Sequence, residues 1–189
     1  SDLEGFTNLG FFGGVSVPAV VRFGIGYILG ADYAAQEEGV DVEIMYRYLG
    51  GFNARPEHKT LASTWYNEGT EVIFVAAGGA INNAISAAEE LSDKWVIGAN
   101  VNQQDLSEVI LTSSLKQLRV SVYQAISEYY DGTFRGGEAV NLTAAEDGVG
   151  IPDDFSRFEN FTEADYEEIV DALISGEIEV PSSHTLAIP

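Results

Sequence analysis

The sequence predicts an α/β fold, a parallel sheet flanked by helices on both faces. Two observations lead there. Short apolar runs ending in glycine alternate with segments of helical period, and the run at 71–77 (EVIFVAA) is apolar without a break after its opening Glu71. Such a run suits a parallel strand covered from both sides, because that strand has no wet face.

The elements follow in order. Residues 9–14 (LGFFGG) read as a buried strand entering a turn. Pro18 suits the first turn of a helix, where its missing N–H costs nothing. Val21, Ile25, Ile28 and Leu29 recur at helical spacing, and Glu37-Glu38-Gly39 closes that helix. Val42, Ile44 and Tyr46 alternate as a second strand, 50–53 is a loop, and a helix over 57–67 stops at Gly69. Gly78-Gly79 then opens a third helix reaching Leu91, and 95–98 is a fourth strand.

Beyond Asn102 the rhythm changes. A short strand at 109–111 precedes a helix at 115–130 that Asp131-Gly132 ends. A strand near 139–142 and a Gly/Asp/Pro-rich stretch at 146–154 follow. Thr162-Glu163-Ala164-Asp165 is a helix start signal, with acids placed to favour the helix dipole. That helix stops at Gly176, and 177–180 reads as a last strand.

Charge narrows the function. Thirty acidic side chains oppose 9 basic ones, a formal charge of −21. A phosphate backbone needs Lys and Arg to displace its counterions, so nucleic acid is excluded as a partner, and an anionic membrane surface with it. Hydrophobic residues make up 46% of the chain, enough for a packed core. The lysines are Lys59, Lys94 and Lys116, and so acidic a surface is either salt-adapted or simply self-repelling. Without cysteine there is no disulfide, thiolate metal site or cysteine nucleophile. The opening Ser1, Asp2 and Glu4 do not resemble a secretory leader.

Several patterns suggest chemistry and fail on inspection. Ser113 and Lys116 have S-x-x-K spacing, but the partner motifs of serine acyl-enzymes are missing. Gly24, Gly26 and Gly30 fall inside the first helix and not at a strand-to-helix turn, so they suit close helix packing better than a dinucleotide. Pro18 and Arg22 interrupt that apolar stretch, which leaves no transmembrane segment. His58 and His184 stand apart, as surface histidines do, and metal ligands need company. The pairs Glu89-Glu90, Asp153-Asp154 and Glu167-Glu168 read as solvated faces and a turn.

The loops after the strands are the candidate site, because ligands of open parallel sheets sit beyond the carboxyl ends of the strands. Phe52 offers a π face to a flat ring, or else belongs to the core. Gly78 and Gly79 either permit close backbone approach or simply make a turn. Asn100 and Asn102 supply amides suited to hydroxyls, although Asn100 also fits a strand-end cap, and Lys116 adds a cation. Together they describe a pocket for a neutral, polar, ring-bearing molecule. No nucleophile, base or metal stands ready to transform it.

These loops also resemble a known family. LGFFGG followed by VPAVVRFGIGYILGADY is similar to a segment of the basic membrane protein family, the PnrA-like nucleoside-binding lipoproteins of ABC importers. LGGFNARPEHKTLASTWYNEGTEVIFVAAGGAINNAISAAEE, KWVIGANVNQ, VILTSSLKQLRVSVYQAISEYYDGTFRGG and DGVGI continue the resemblance in the family order. It implies a periplasmic-binding-protein fold of the ribose-binding type, represented mainly by its second lobe, with no enzymatic activity and no cofactor. It implies that Phe52 stacks on a purine, that Gly78 and Gly79 line the pocket and that Lys116 contacts ribose. Where the family carries Asp-x-Asp-Gln this chain has Asn100-Val101-Asn102-Gln103, which implies a weaker ribose contact or a different polar group.

The resemblance has consequences for organisation as well. Family members carry another lobe ahead of LGFFGG, so 1–101 corresponds to the second-lobe core, 102–142 to a segment crossing into the first lobe, and 143–189 to the return. The helix at 115–130 would then lack most of its packing partners. The expected partner is an ABC permease, and the full-length form would be an extracytoplasmic lipoprotein anchored at the cell membrane upstream of this chain. The same fold also serves as a ligand-sensing regulatory module, the alternative function. An enzyme of the nucleosidase kind would need aspartates clustered round Ca²⁺, and no strand end offers them.

Overall fold

A computed structural model describes residues 5–180. The elements are β1 (Asn8–Gly13), α1 (Pro18–Glu38), β2 (Glu43–Tyr48), α2 (Pro56–Asn67), β3 (Val72–Ala76), α3 (Ile81–Ala88), β4 (Trp95–Asn100), β5 (Ile110–Lys116), α4 (Leu118–Asp131), β6 (Val149–Gly150) and α5 (Glu163–Ser175). One six-stranded sheet runs in the order β2-β1-β3-β4-β5-β6. The first five strands are parallel, and β6 returns antiparallel to β5 through Leu115↔Gly150 and Lys116↔Val149.

Side chains on a strand alternate between faces, and the two faces hold different partners. Phe12, Ile73, Val75, Val96 and Ile110 cluster with Ala62, Trp65, Ile81 and Ile85 of α2 and α3. The other face is aromatic and carries α1. Phe11 stacks on Tyr46 at 4.6 Å, and Phe74 takes the edges of Phe23 and Tyr27 at 5.7 and 5.3 Å. Of the α1 glycines only Gly24 serves this packing, since a Cβ there would collide with Tyr46; at Gly26 and Gly30 it would meet open space.

Local signals set the helix ends. Pro18 and Pro56 open α1 and α2, Gly39 closes α1 at φ +67°, and Thr162 and Asp165 cap α5 reciprocally. Four expectations give way. Leu115 and Lys116 belong to β5, so the following helix starts at Leu118. Residues 139–142 form no strand, and neither do 177–180. His58 is 4% exposed beneath α2, because it shares the inward face with Ala62 and Trp65. His184 lies outside the described residues.

After β6 the chain is strapped back onto the sheet by Arg157. Its guanidinium donates to the carbonyls of Ser107 (2.9 Å), Ile110 (2.6 Å) and Gln104 (3.3 Å). The rings of Phe155, Phe158, Phe161 and Tyr166 gather beside it with centroids 5.3 to 6.0 Å apart. By contrast α4 buries none of its residues. Its Leu118, Val122, Ile126 and Tyr129 follow one another at helical spacing and are each more than half exposed.

Candidate ligand-binding site

All five parallel strands leave the sheet at the same end, so their exits form one face. Backbone hydrogen bonds fasten three of the exits together. The N–H of Gly14 donates to Ala76, that of Leu49 to Gly13 and that of Gly51 to Gly14, at 3.0, 2.8 and 3.0 Å. The loop after β2 is thereby pinned over β1, and it carries Phe52.

Phe52 is 44% exposed and belongs to neither cluster of core side chains just described. Its ring lies across Gly14, where a Cβ would collide with it. Behind the ring, a Cβ on Gly78 would stand 3.0 Å from the Phe52 carbonyl oxygen, and one on Gly79 3.4 Å from it. Gly78 also has φ +55°, a conformation that disfavours any side chain. Phe52, Gly78 and Gly79 are therefore brought together, with Gly14 as a floor.

Asn100 ends β4 at φ +73°, a left-handed conformation that Asn tolerates better than most residues. Its register partner is Leu115, the residue before Lys116. Asn102 is exposed, but its Oδ1 already accepts the N–H of Gln104 at 3.0 Å, which leaves its amide nitrogen to face outward. Gln103 holds this loop in place. Its Oε1 accepts the N–H of Ala99 (2.9 Å) while its own N–H donates to the buried Ser113 Oγ (3.1 Å). Sequence reasoning passed over Gln103; its adjacency to the two asparagines was the available signal. Ser113 is committed to that structural role. Three residues along an extended strand also put Lys116 on the opposite face, roughly 10 Å away.

Lys116 ends β5 and is half-buried. Its Nζ sits 4.3 Å from the centroid of the Phe23 ring, a cation–π contact. Burial first, and the neighbouring Arg22 charge second, hold its pKa below the usual lysine value. Phe23 is a site residue that sequence reasoning missed, since only the fold brings it under Lys116.

Elsewhere, a groove of about 610 Å³ between α2 and α3 is lined by Arg55, Lys59 and Asn83 among others. Its cations pair with Glu57 and Glu90, at 3.7 and 2.6 Å. Among the described residues no cluster of three or more His, Asp or Glu could hold a metal, and no helix is long and apolar enough to cross a membrane.

A parallel sheet of this order with its exits bared defines an α/β lobe of the kind that makes up half of a periplasmic solute-binding protein. The Bmp family model, described as ABC transporter substrate-binding protein PnrA-like, matches residues 7–184, and the chain belongs to that family. It is a family of binding proteins, not of enzymes. The ABC transporter nucleoside-binding protein BmpA of Lactococcus lactis is 30% identical over 195 residues, spanning 93% of this chain and 53% of that protein. A CD4+ T-cell-stimulating antigen of Listeria monocytogenes is 29% identical over 92% of this chain and 52% of its own length. An ABC transporter solute-binding protein from Aeropyrum pernix K1 superposes with a TM-score of 0.74 at 28% identity, over 94% of this chain and 58% of that one. The chain thus spans about half the length of the curated relatives it matches.

Proposed function

We propose that this chain is the ligand-gripping lobe of an extracytoplasmic receptor that delivers a nucleoside to an ABC importer. The observation that carries the reading is the exposed ring of Phe52, held flat over Gly14 and backed by Gly78 at the converging strand exits. A ring so placed stacks on a base, the glycines admit its edge, and the amides of Asn100 and Asn102 with Lys116 meet the hydroxyls of a sugar. The nucleoside-binding description of the Lactococcus relative supports this choice of solute. The permease of the importer is then the partner, and the membrane anchor belongs to the full-length protein.

The organisation is part of the proposal. The span 102–142 contains α4, whose apolar stripe no described residue buries, and this supports assigning the segment to an interface with a further lobe. Residues 1–101 and 143–189 then make up the lobe itself, together with β5, which pairs with β4 and β6 in its sheet. Affinity in a two-lobed receptor comes from closure of both lobes on the ligand. Binding by this lobe alone is accordingly weak.

The test is a titration of the isotopically labelled chain with adenosine, inosine and guanosine, followed by amide chemical shifts. Millimolar nucleoside is expected to move the amides of Phe52, Gly78, Gly79 and Asn100 together, and Phe52→Ala to abolish the response. Shifts confined to other regions would sink the reading.

A further inference from the structure

The two edges of the sheet are built differently. At one edge β6 offers only Val149 and Gly150. At the other, β2 keeps register with β1 from Glu43 to Tyr48, with no bulge and with neither proline nor glycine. Sheets ordinarily blunt such an edge with a bulge, a proline or a covering segment, because its unpaired backbone groups accept another strand. Among the described residues no strand pairs with the outer side of β2.

Which groups face outward follows from parity. Glu43 and Leu49 donate their N–H groups inward to Thr7 and Gly13, at 2.8 Å each. Backbone groups alternate in direction along a strand, so Ile44, Tyr46 and Tyr48 turn theirs away from the sheet. The side chains alternate as well. Tyr46 stacks on Phe11 on the aromatic face, whereas Met45 packs with the cluster on the face of α2 and α3. Glu43 and Arg47 flank Met45 on that second face, both exposed, and neither has an ion pair among the described residues. Four residues of extended chain hold them about 13 Å apart, too far to neutralise each other.

We infer that the β2 edge is a two-fold interface, on which a second copy of this chain pairs strand to strand, antiparallel and centred on Met45. In that register Ile44 exchanges both backbone hydrogen bonds with the partner's Tyr46, and Tyr46 does the same with the partner's Ile44. Glu43 falls opposite the partner's Arg47 and Arg47 opposite the partner's Glu43, at non-hydrogen-bonded positions where side chains approach closest. An in-register parallel neighbour would instead set like charges together, so the pattern selects the antiparallel copy. That arrangement points the strand exits of the two copies in opposite directions and leaves each Phe52 loop open. The charge of −21 on each copy opposes association at long range, and salt screens that repulsion more than it screens charges in contact. The interface stands whether or not the solute is a nucleoside.

Sedimentation equilibrium of the full 189-residue chain at about 0.15 M salt, where screening sets in beyond about 8 Å, measures the association. The mass is expected to rise from one chain toward two as concentration climbs to about 1 mM, and a chain that stays single throughout overturns the interface. Glu43→Arg and Arg47→Glu should each weaken the dimer about tenfold or more by setting like charges opposite each other. Combining both substitutions in one chain, or mixing the two single variants, restores opposite charges and should recover the dimer. Circular dichroism melts establish that each variant is folded. Hydrogen exchange on the unaltered chain locates the contact without any substitution. The amides of Ile44 and Tyr46 should exchange fast in dilute solution and become protected in the dimer, while those of Met45 and Arg47 stay protected throughout. A dimer indifferent to the single substitutions, a double variant that remains single, or protection gained only at α4 overturns the inference.

Discussion

The ring of Phe52 occupies the space in which Gly14 would carry a side chain. The two residues belong to different strand exits, yet the Gly51 N–H bonded to the Gly14 carbonyl fixes their separation at the backbone. Gly14→Ala therefore has a narrow expected effect. The added methyl forces the exposed ring aside, while the backbone stays where it is. Stability should change by about 1 kcal/mol or less. Affinity for a base-bearing solute should fall about tenfold, as expected when a stacking contact worth about 1–3 kcal/mol is partly lost. Thermal melting and a ligand titration on the same sample separate the two effects, and a cooperative loss of structure would show that Gly14 matters for folding instead.

Lys116 has a pH signature. Its folded-state pKa lies below the ordinary value of 10.5, so the unfolded chain holds this proton more tightly than the folded one. Stability attributable to this group therefore rises as pH climbs toward 10.5, where the folded state sheds the charge first. Lys116→Met removes the charge at every pH. The variant is expected to melt higher than the parent at neutral pH, with the difference shrinking on the alkaline side. Urea titrations at a series of pH values provide the check. A variant less stable than its parent at pH 7 would contradict the assignment.

Arg157 offers a test away from the site. It supplies donors to the carbonyls of Gln104, Ser107 and Ile110 across a gap of some 50 residues in sequence. Arg157→Ala leaves those oxygens without a charged donor and should cost about 2–4 kcal/mol. Arg157→Lys should recover only a small part, because a point charge cannot serve three acceptors spread across two faces of a fork. The midpoint of urea unfolding measures both. Parity of the lysine variant with wild type would show that charge alone holds the strap.

The parallel core could be read from the sequence because its signals are local. Glycine and proline mark element ends, and an apolar run such as 71–77 has only one comfortable environment. Where the reading failed, the deciding partner was distant. Leu115 and Lys116 look like the first turn of a helix until Val149 and Gly150 pair with them from beyond α4. His58 looks polar in its own neighbourhood and is buried because Ala62 and Trp65 turn α2 inward. The candidate site shows the same division. The loops at Phe52, Gly78 and Asn100 were visible as strand exits, whereas the fit of Phe52 over Gly14 and the seating of Lys116 on the Phe23 ring exist only once separate elements converge.

The strand order also bears on how the chain is made. Every strand of the parallel set, with α1, α2 and α3, lies within the first 116 residues, so the sheet and both its helical layers can close before α4 leaves the ribosome. The helix then emerges onto a finished surface that has no place for Leu118, Val122, Ile126 and Tyr129. Left uncovered, that stripe is an apolar patch on an otherwise strongly charged body, open to chaperones, proteases and other copies of the chain.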